Sequence, residues 1–464
     1  MERDHRRIKT FYKSLIVLLA IILFFIANKI NSEERSDNMD KEISVKRETR
    51  ESFAAPIPAL SLSKMRLFTG GRHLFRRTWT PAPSSVKSLD GLGPVFNRVS
   101  CSGCHVKDGR GRPPKDDGKF RSMVIKLSMI DNNNIYPDPN YGYQLNDKSI
   151  LGVPYEGKAK IDYSIIDIEL NDGTIKKISN PHYTFNSMSF GALNEKTKHS
   201  GRVAPAVFGL GLIEAITEKD LLKNADPEDL NNDGISGRAH KLVDKPSKKI
   251  MIGKFGWKAT RATLLHHITG AASQDMGLTS NVFPNENCMK IQKACLEQIN
   301  GGEPEVSDAQ IDRLLVYMQT LAPPRQRKIK NKSVLAGKNL FKEIGCERCH
   351  TPSYKTGEHP NHPELSNRII RPYSDFLLHD MGKGLDDGVA EGEAKSYEWK
   401  TPPLWGIGLV KIVNKHTRFL HDGRAGSIEE AILWHDGEAR NAKNNYISLN
   451  KENRENLLFF LNSL

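Results

Sequence analysis

A mainly α chain made of two similar domains is what this sequence predicts, and three observations carry that reading. The string C-x-x-C-H occurs twice, at residues 101–105 and 346–350. Upstream, GRHLF at 71–75 is echoed by GKNLF at 337–341. Each half also closes on an amphipathic helix. In the first, Ile311, Leu314, Leu315 and Met318 recur at i, i+3, i+4 and i+7; in the second, Leu457, Leu458, Leu461 and Leu464 share one face.

The elements follow in order. Arg3, Arg6, Arg7, Lys9 and Lys13 precede an apolar run at 15–27, the n-region and h-region of a secretory signal. The run is short for a membrane span, and no small-x-small cleavage site follows it, so residues 1–30 read as a signal peptide or an uncleaved membrane anchor. Either places the body in the bacterial periplasm or on the outer face of the cytoplasmic membrane. Residues 31–64 are polar and read as a disordered linker. The first domain is placed at 65–325. Phe96 precedes the first C-x-x-C-H at the same offset as Phe341 precedes the second, which suggests a short helix delivering the chain to each motif. Residues 106–306 then leave room for a loop-rich insertion. Within it YSIIDIELNDGTIKKISN alternates apolar and polar residues around Asn171, Asp172 and Gly173, the signal of a small β-hairpin. Cys288 and Cys295 read as a local disulfide of an oxidising compartment. Ser307 caps the next helix and Pro323 and Pro324 end it. After the charged stretch at 325–332, a second, smaller domain occupies 326–464.

The chemistry of the two strings explains their spacing. Two thiols two residues apart can add to the two vinyl groups of one haem, and the imidazole that follows becomes an axial iron ligand. A bare C-x-x-C leaves zinc or a disulfide open; a histidine directly after it narrows the choice. The prediction is two covalently bound c-type haems, one on Cys101, Cys104 and His105, the other on Cys346, Cys349 and His350. A helix entering the motif, loops around the porphyrin and a terminal helix crossing it make a cytochrome c-like domain, here twice. Extra structure around one haem of the pair suggests a built pocket, which a pure electron carrier does not need.

Charge excludes one class of function. The formal net charge is +13 over 464 residues, but the lysines are scattered (Lys107, Lys115, Lys223, Lys248, Lys328) and no nucleic-acid-binding signature accompanies them. A basic surface instead suits steering of an acidic electron-donor protein. Asp229, Asn231 and Asp233 before Gly234 form the first half of an EF-hand-type loop, with His240 at the twelfth place where glutamate is needed. A calcium site and a plain turn are both open there.

From residue 70 onward the chain resembles the di-haem oxidoreductase, putative peroxidase family, also called thiol oxidoreductases, distant relatives of bacterial di-haem cytochrome c peroxidases. The resemblance is carried by TPAPSS (80–85), DGLGPVFN (90–97), RVAPAVFGLGLIEAI (202–216), DGISGR (233–238), GKFGWKA (253–259), LLHDMG (377–382), TPPLWGIGL (401–409) and HDGRAGSIEEAILWH (421–435). It implies one electron-storing haem with both axial sites filled and one haem that binds peroxide. It puts His435 on the distal position of the storing haem, opposite His350, with Met381 as the rival; histidine rather than methionine there implies a lower potential. No distal histidine follows the first motif, so that iron is open, or takes Met123, Met276 or His182. Glu214 falls nearest to the family's pocket acid, with Arg202 and Gln274 as groups that stabilise charge or orient water. Calcium between the haem domains is a property of the peroxidase relatives. Trp257, Trp405 and Trp434 lie in family segments, as electron relays or as core. The implied function is peroxide reduction at the first haem, with electrons arriving through the second from a small donor protein such as a cytochrome or cupredoxin. The alternatives are a non-catalytic di-haem electron-transfer protein, or an oxidase acting on a partner protein or on iron.

Overall fold

Two pairs of crossed helices frame the structure, a computed structural model that describes residues 41–464 except 116, 117 and 133. The signal or anchor segment lies outside the described residues. Among the described residues no helix is long and apolar enough to cross a membrane. In the first pair Leu62–Arg76 crosses Asp308–Thr320; in the second Lys332–Glu343 crosses Lys451–Ser463. Local sequence sets each start: Ser61, Asn331 and Asn450 cap their helices through side-chain oxygens, and Ser307 forms a capping box with Gln310.

Both crossings are close because each has a glycine where backbones meet. A Cβ on Gly71 would come 1.9 Å from the Arg313 carbonyl oxygen and 2.7 Å from Tyr317 Cβ; on Gly337 it would come 2.0 Å from the Asn456 oxygen and 2.7 Å from Phe460 Cβ. One turn on, Phe75 stacks near Tyr317 and Phe341 near Phe460, each pair 5.4 Å between centroids. The same two phenylalanines lie 6.1 Å from the rings of His105 and His350. Thus the repeat is G-x-x-x-F, and Phe75 is the counterpart of Phe341. Phe96, expected in that role, sits instead in the two-residue strand Val95–Phe96, paired with Lys148–Ser149. The first helix ends at Arg76, and a loop separates it from the motif.

The expectation of a mainly α chain is overturned: helix makes up 29% and strand 19%. The strand content sits largely in the first-half insertion, where alternation runs well beyond the hairpin. Met123–Asp131 pairs antiparallel with Thr197–Val203, Asn134–Tyr136 and Gln144–Leu145. The hairpin itself, Lys158–Glu169 with Ile175–Asn186, is in register from Lys158↔Asn186 to Glu169↔Ile175 and turns through Gly173 at φ 76. It reaches the C-terminal part of the chain: Leu170 and Ile178 join a core with Val334, Phe341, Leu457 and Phe460, Lys176 pairs with Glu429 at 2.8 Å, and Arg454 bonds Asp172.

The linker also departs from expectation. From residue 41 the chain is packed, with Ile43, Phe53 and Ile57 buried and backbone bonds from Val45 N to the Pro323 oxygen (3.1 Å) and from Ile57 N to that of Thr320 (2.9 Å). Buried Ile43, Phe53 and Ile57, each worth about 1.5–3 kcal/mol, outweigh the polar composition that suggested disorder. The disulfide read between Cys288 and Cys295 is formed, with Cα atoms 5.8 Å apart.

If the glycine contacts set the crossings, Gly71→Ala and Gly337→Ala should each destabilise the protein by about 1–3 kcal/mol through overpacking. Urea unfolding would measure this, and wild-type midpoints in both variants would show that the helices can separate at no cost.

Candidate active site

The second motif opens onto a cavity of about 570 Å³ lined by Cys346, Cys349, His350 and His435. His350 Nδ1 donates to the Tyr373 carbonyl oxygen at 2.9 Å, which leaves Nε2 as the ligand atom. His435 follows the helix Ile428–Leu433, started by the Ser427 cap with Glu429 and Glu430 in its first turn. Its Nδ1 donates to the Ala431 oxygen at 2.7 Å, so it too keeps Nε2 free. Burial holds both imidazoles neutral: His350 is pushed down to about 4, further lowered by His435 nearby, and His435 is lowered as well. Two neutral imidazoles with fixed tautomers on one cavity, beside two free thiols, are a donor set that fits an axially ligated haem. Met381, the rival ligand, lines the same cavity.

The first motif repeats half of this arrangement. His105 Nδ1 donates to the Pro205 oxygen at 2.7 Å, again freeing Nε2. Its cavity is narrower, about 70 Å³. One wall is the helix Leu264–Met276, capped by Thr263, which offers His267, Ile268, Ala271, Ala272 and Asp275 to the space. Ala271 and Ala272 keep the middle of that face free of bulky side chains.

His267 was not anticipated from the sequence. It lines both cavities, as Val207 does, and its ring makes no hydrogen bond among the described residues. Burial, helped by Arg261, pushes its pKa down to about 3, so it is neutral. Its neighbour His266 is instead engaged by Asp244 at 3.3 Å. The signal was the spacing of His267, Ala271 and Asp275 along one helical face. Of the three sixth ligands considered for the first haem, Met276 lines the cavity. Met123 packs against Gly201, and His182 is exposed on the hairpin, bonded to Ser164 Oγ at 2.7 Å; neither lines it.

The three residues assigned to catalysis lie elsewhere. Glu214 accepts from Leu264 N and from Gln319 Nε2, both at 2.7 Å, and pairs with His359 at 3.4 Å; it lines neither cavity. Its carboxylate is tied up starting one helix and binding another, a role that apolar flanking sequence does not disclose. Arg202 is buried between Asp387 (2.5 Å) and Glu391 (3.5 Å), its guanidinium 4.6 Å from the Trp399 ring. Gln274 accepts from Lys126 Nζ at 2.7 Å. These three are not brought together.

The acidic loop is closed on itself. Asp229 accepts from Asp233 N and Gly234 N, Asn231 from Asp233 N, and Asp233 from Ile235 N, while the second oxygen of Asp233 faces Arg348 at 3.5 Å. Those oxygens serve the turn. Among the described residues, the group close enough to share a metal ion is Cys349, Asp375 and His379. There both ring nitrogens of His379 meet carboxylates, Asp375 at 2.8 Å and Glu438 at 2.6 Å. Burial opposes its charge, but Asp375 outweighs it and holds His379 well above the usual range. An imidazolium has no lone pair for a metal. Trp257 and Trp405 line the larger cavity, and Trp434 is buried with its Nε1 unpartnered.

Glu214→Ala should strand the Leu264 and Gln319 donors and cost about 1–3 kcal/mol of stability while leaving the haem spectra as they are. A stable variant with an altered Soret band would instead put this carboxylate at an iron. No curated protein and no solved structure matches the chain. A family model does, the one described as di-haem oxidoreductase, putative peroxidase, over residues 37–130 and 173–464. With two motif-bearing cavities whose ligand sets suit haem, and a match over most of its length, the chain belongs to the di-haem oxidoreductase, putative peroxidase family and is an enzyme of that family.

Proposed function

We propose that this protein reduces peroxide at a haem on the first motif and takes its electrons through a haem on the second. The observation that carries this is the inequality of the two cavities. The larger one has a neutral imidazole on a motif and a second, His435, with its tautomer fixed for ligation. The smaller has one tethered ligand, His105, and a half-buried histidine, His267, whose ring makes no hydrogen bond among the described residues. The haems, when bound, supply an electron store and an iron at which peroxide can be held.

The chain's own residues do the rest. Cys101 and Cys104, and Cys346 and Cys349, fix each haem by thioether bonds. His350 and His435, each with Nδ1 bonded to a carbonyl, would hold the second haem through their free Nε2 atoms. In the cavity of the first motif, neutral His267 is the group that could take a proton from a peroxide and return it to the departing oxygen. Two electrons and two protons then yield two waters. The basic surface would draw an acidic donor, a small cytochrome or cupredoxin. The N-terminal basic and apolar segments, together with the Cys288–Cys295 disulfide, support export to the periplasm.

A second reading rests on the same free imidazole. If His267 ligates the first iron, both haems are saturated and the protein is an electron carrier. Spectra of the half-reduced protein with hydrogen peroxide or cyanide separate the two: one haem should respond, and two unresponsive low-spin haems would end the peroxidase reading. His435→Ala should remove the low-spin EPR signal of one haem only; an unchanged signal would exclude His435 as a ligand. His267→Ala should slow peroxide reduction by about 10²–10⁴-fold with the cyanide affinity of the first haem retained. A change of spin state in the resting variant would favour the carrier.

A further inference from the structure

The loop after the first motif reaches the other haem. Arg110 lies five residues beyond His105, yet it lines the cavity of the second motif and not that of the first. Its backbone is clamped there by the second half: its N–H donates to Asn414 Oδ1 at 3.3 Å and its carbonyl accepts from His416 Nε2 at 3.2 Å. Gly109 makes the approach possible, since a Cβ there would come 2.2 Å from Asn414 Oδ1.

The side chain of Arg110 has a charge without an answer. One terminal nitrogen donates to the Leu420 oxygen, Nε is buried without a partner, and the guanidinium stands 5.5 Å from the Trp257 ring and 5.7 Å from that of Phe419. No carboxylate among the described residues pairs with it. Asp422, the acid it feels, is bonded to Arg424 at 2.7 Å. Buried arginines elsewhere have their acids: Arg202 has Asp387, and Arg98 has Asp147 at 3.3 Å. A half-buried cation whose Nε is shut from water without a partner is costly, and a planar fork with a free N–H is shaped for a carboxylate. A haem brings two propionates into this cavity.

We propose that Arg110 pairs with a propionate of the second haem, making the loop of the first motif part of the second cofactor's site. The inference rests on a haem being held at 346–350, and it sets the potential of that haem partly from the other half of the chain. Removing the cation should favour the oxidised iron. In R110Q, redox titration should find the equilibrium constant for reducing the second haem lowered about tenfold, about 59 mV for a one-electron couple, with the first haem unmoved. R110K keeps the charge and should restore most of the potential, while its resonance Raman propionate bending mode shifts for want of the fork. A full complement of two haems with the second potential unmoved in R110Q would overturn the proposal. If R110Q does not load haem, an unshifted propionate mode in R110K overturns it. Wild-type protein with haem at the first motif alone would overturn both this and the proposed function, and peroxide turnover enters none of these readings.

Discussion

The bond from a motif imidazole to a backbone carbonyl is the constraint on which the rest of the structure depends. His105 donates to Pro205 and His350 to Tyr373. Each bond fixes one tautomer, points Nε2 into a cavity and binds the motif to a segment far along the chain. The accepting carbonyls need rigid walls, and the crossed helices supply them. Gly71 and Gly337 let the helices touch, Phe75 and Phe341 fill the angle beneath the imidazoles, and Asp108 ties the first motif to the terminal helix through Tyr317.

With the proximal sides alike, difference is confined to what faces them. The second cavity meets the end of a short helix carrying His435, whose Nδ1 bond to Ala431 copies the proximal arrangement. The first meets the middle of a helix, with two alanines and an imidazole that bonds to nothing. The same residue type thus stands with its tautomer fixed on one wall and without a hydrogen bond on the other. The backbone carbonyl at hydrogen-bond distance makes the difference.

Much of this was legible in the sequence. The repeat at Gly71 and Gly337, the helix cap at Ser307, the hairpin turn at Gly173 and the disulfide at Cys288 and Cys295 are local signals, and each describes its own neighbourhood correctly. What failed were inferences that depend on distant partners. Glu214 reads as a pocket acid until Leu264 and Gln319 are seen to occupy it. His267 is invisible without the helix that aims it. Residues 31–64 read as a linker because polar neighbours hide Ile43, Phe53 and Ile57, and the sequence overstates the α content because the strands of the insertion are held by pairing across many residues.

The hairpin has a bearing on how such a chain is made. Its tip is bonded to Arg454, 282 residues later, and its Leu170 and Ile178 complete a core whose other members belong to the second half. A ribosome therefore delivers this clasp long before there is anything for it to hold. The first half emerges with a ribbon whose Leu170 and Ile178 have no core to enter until the last helix has been made.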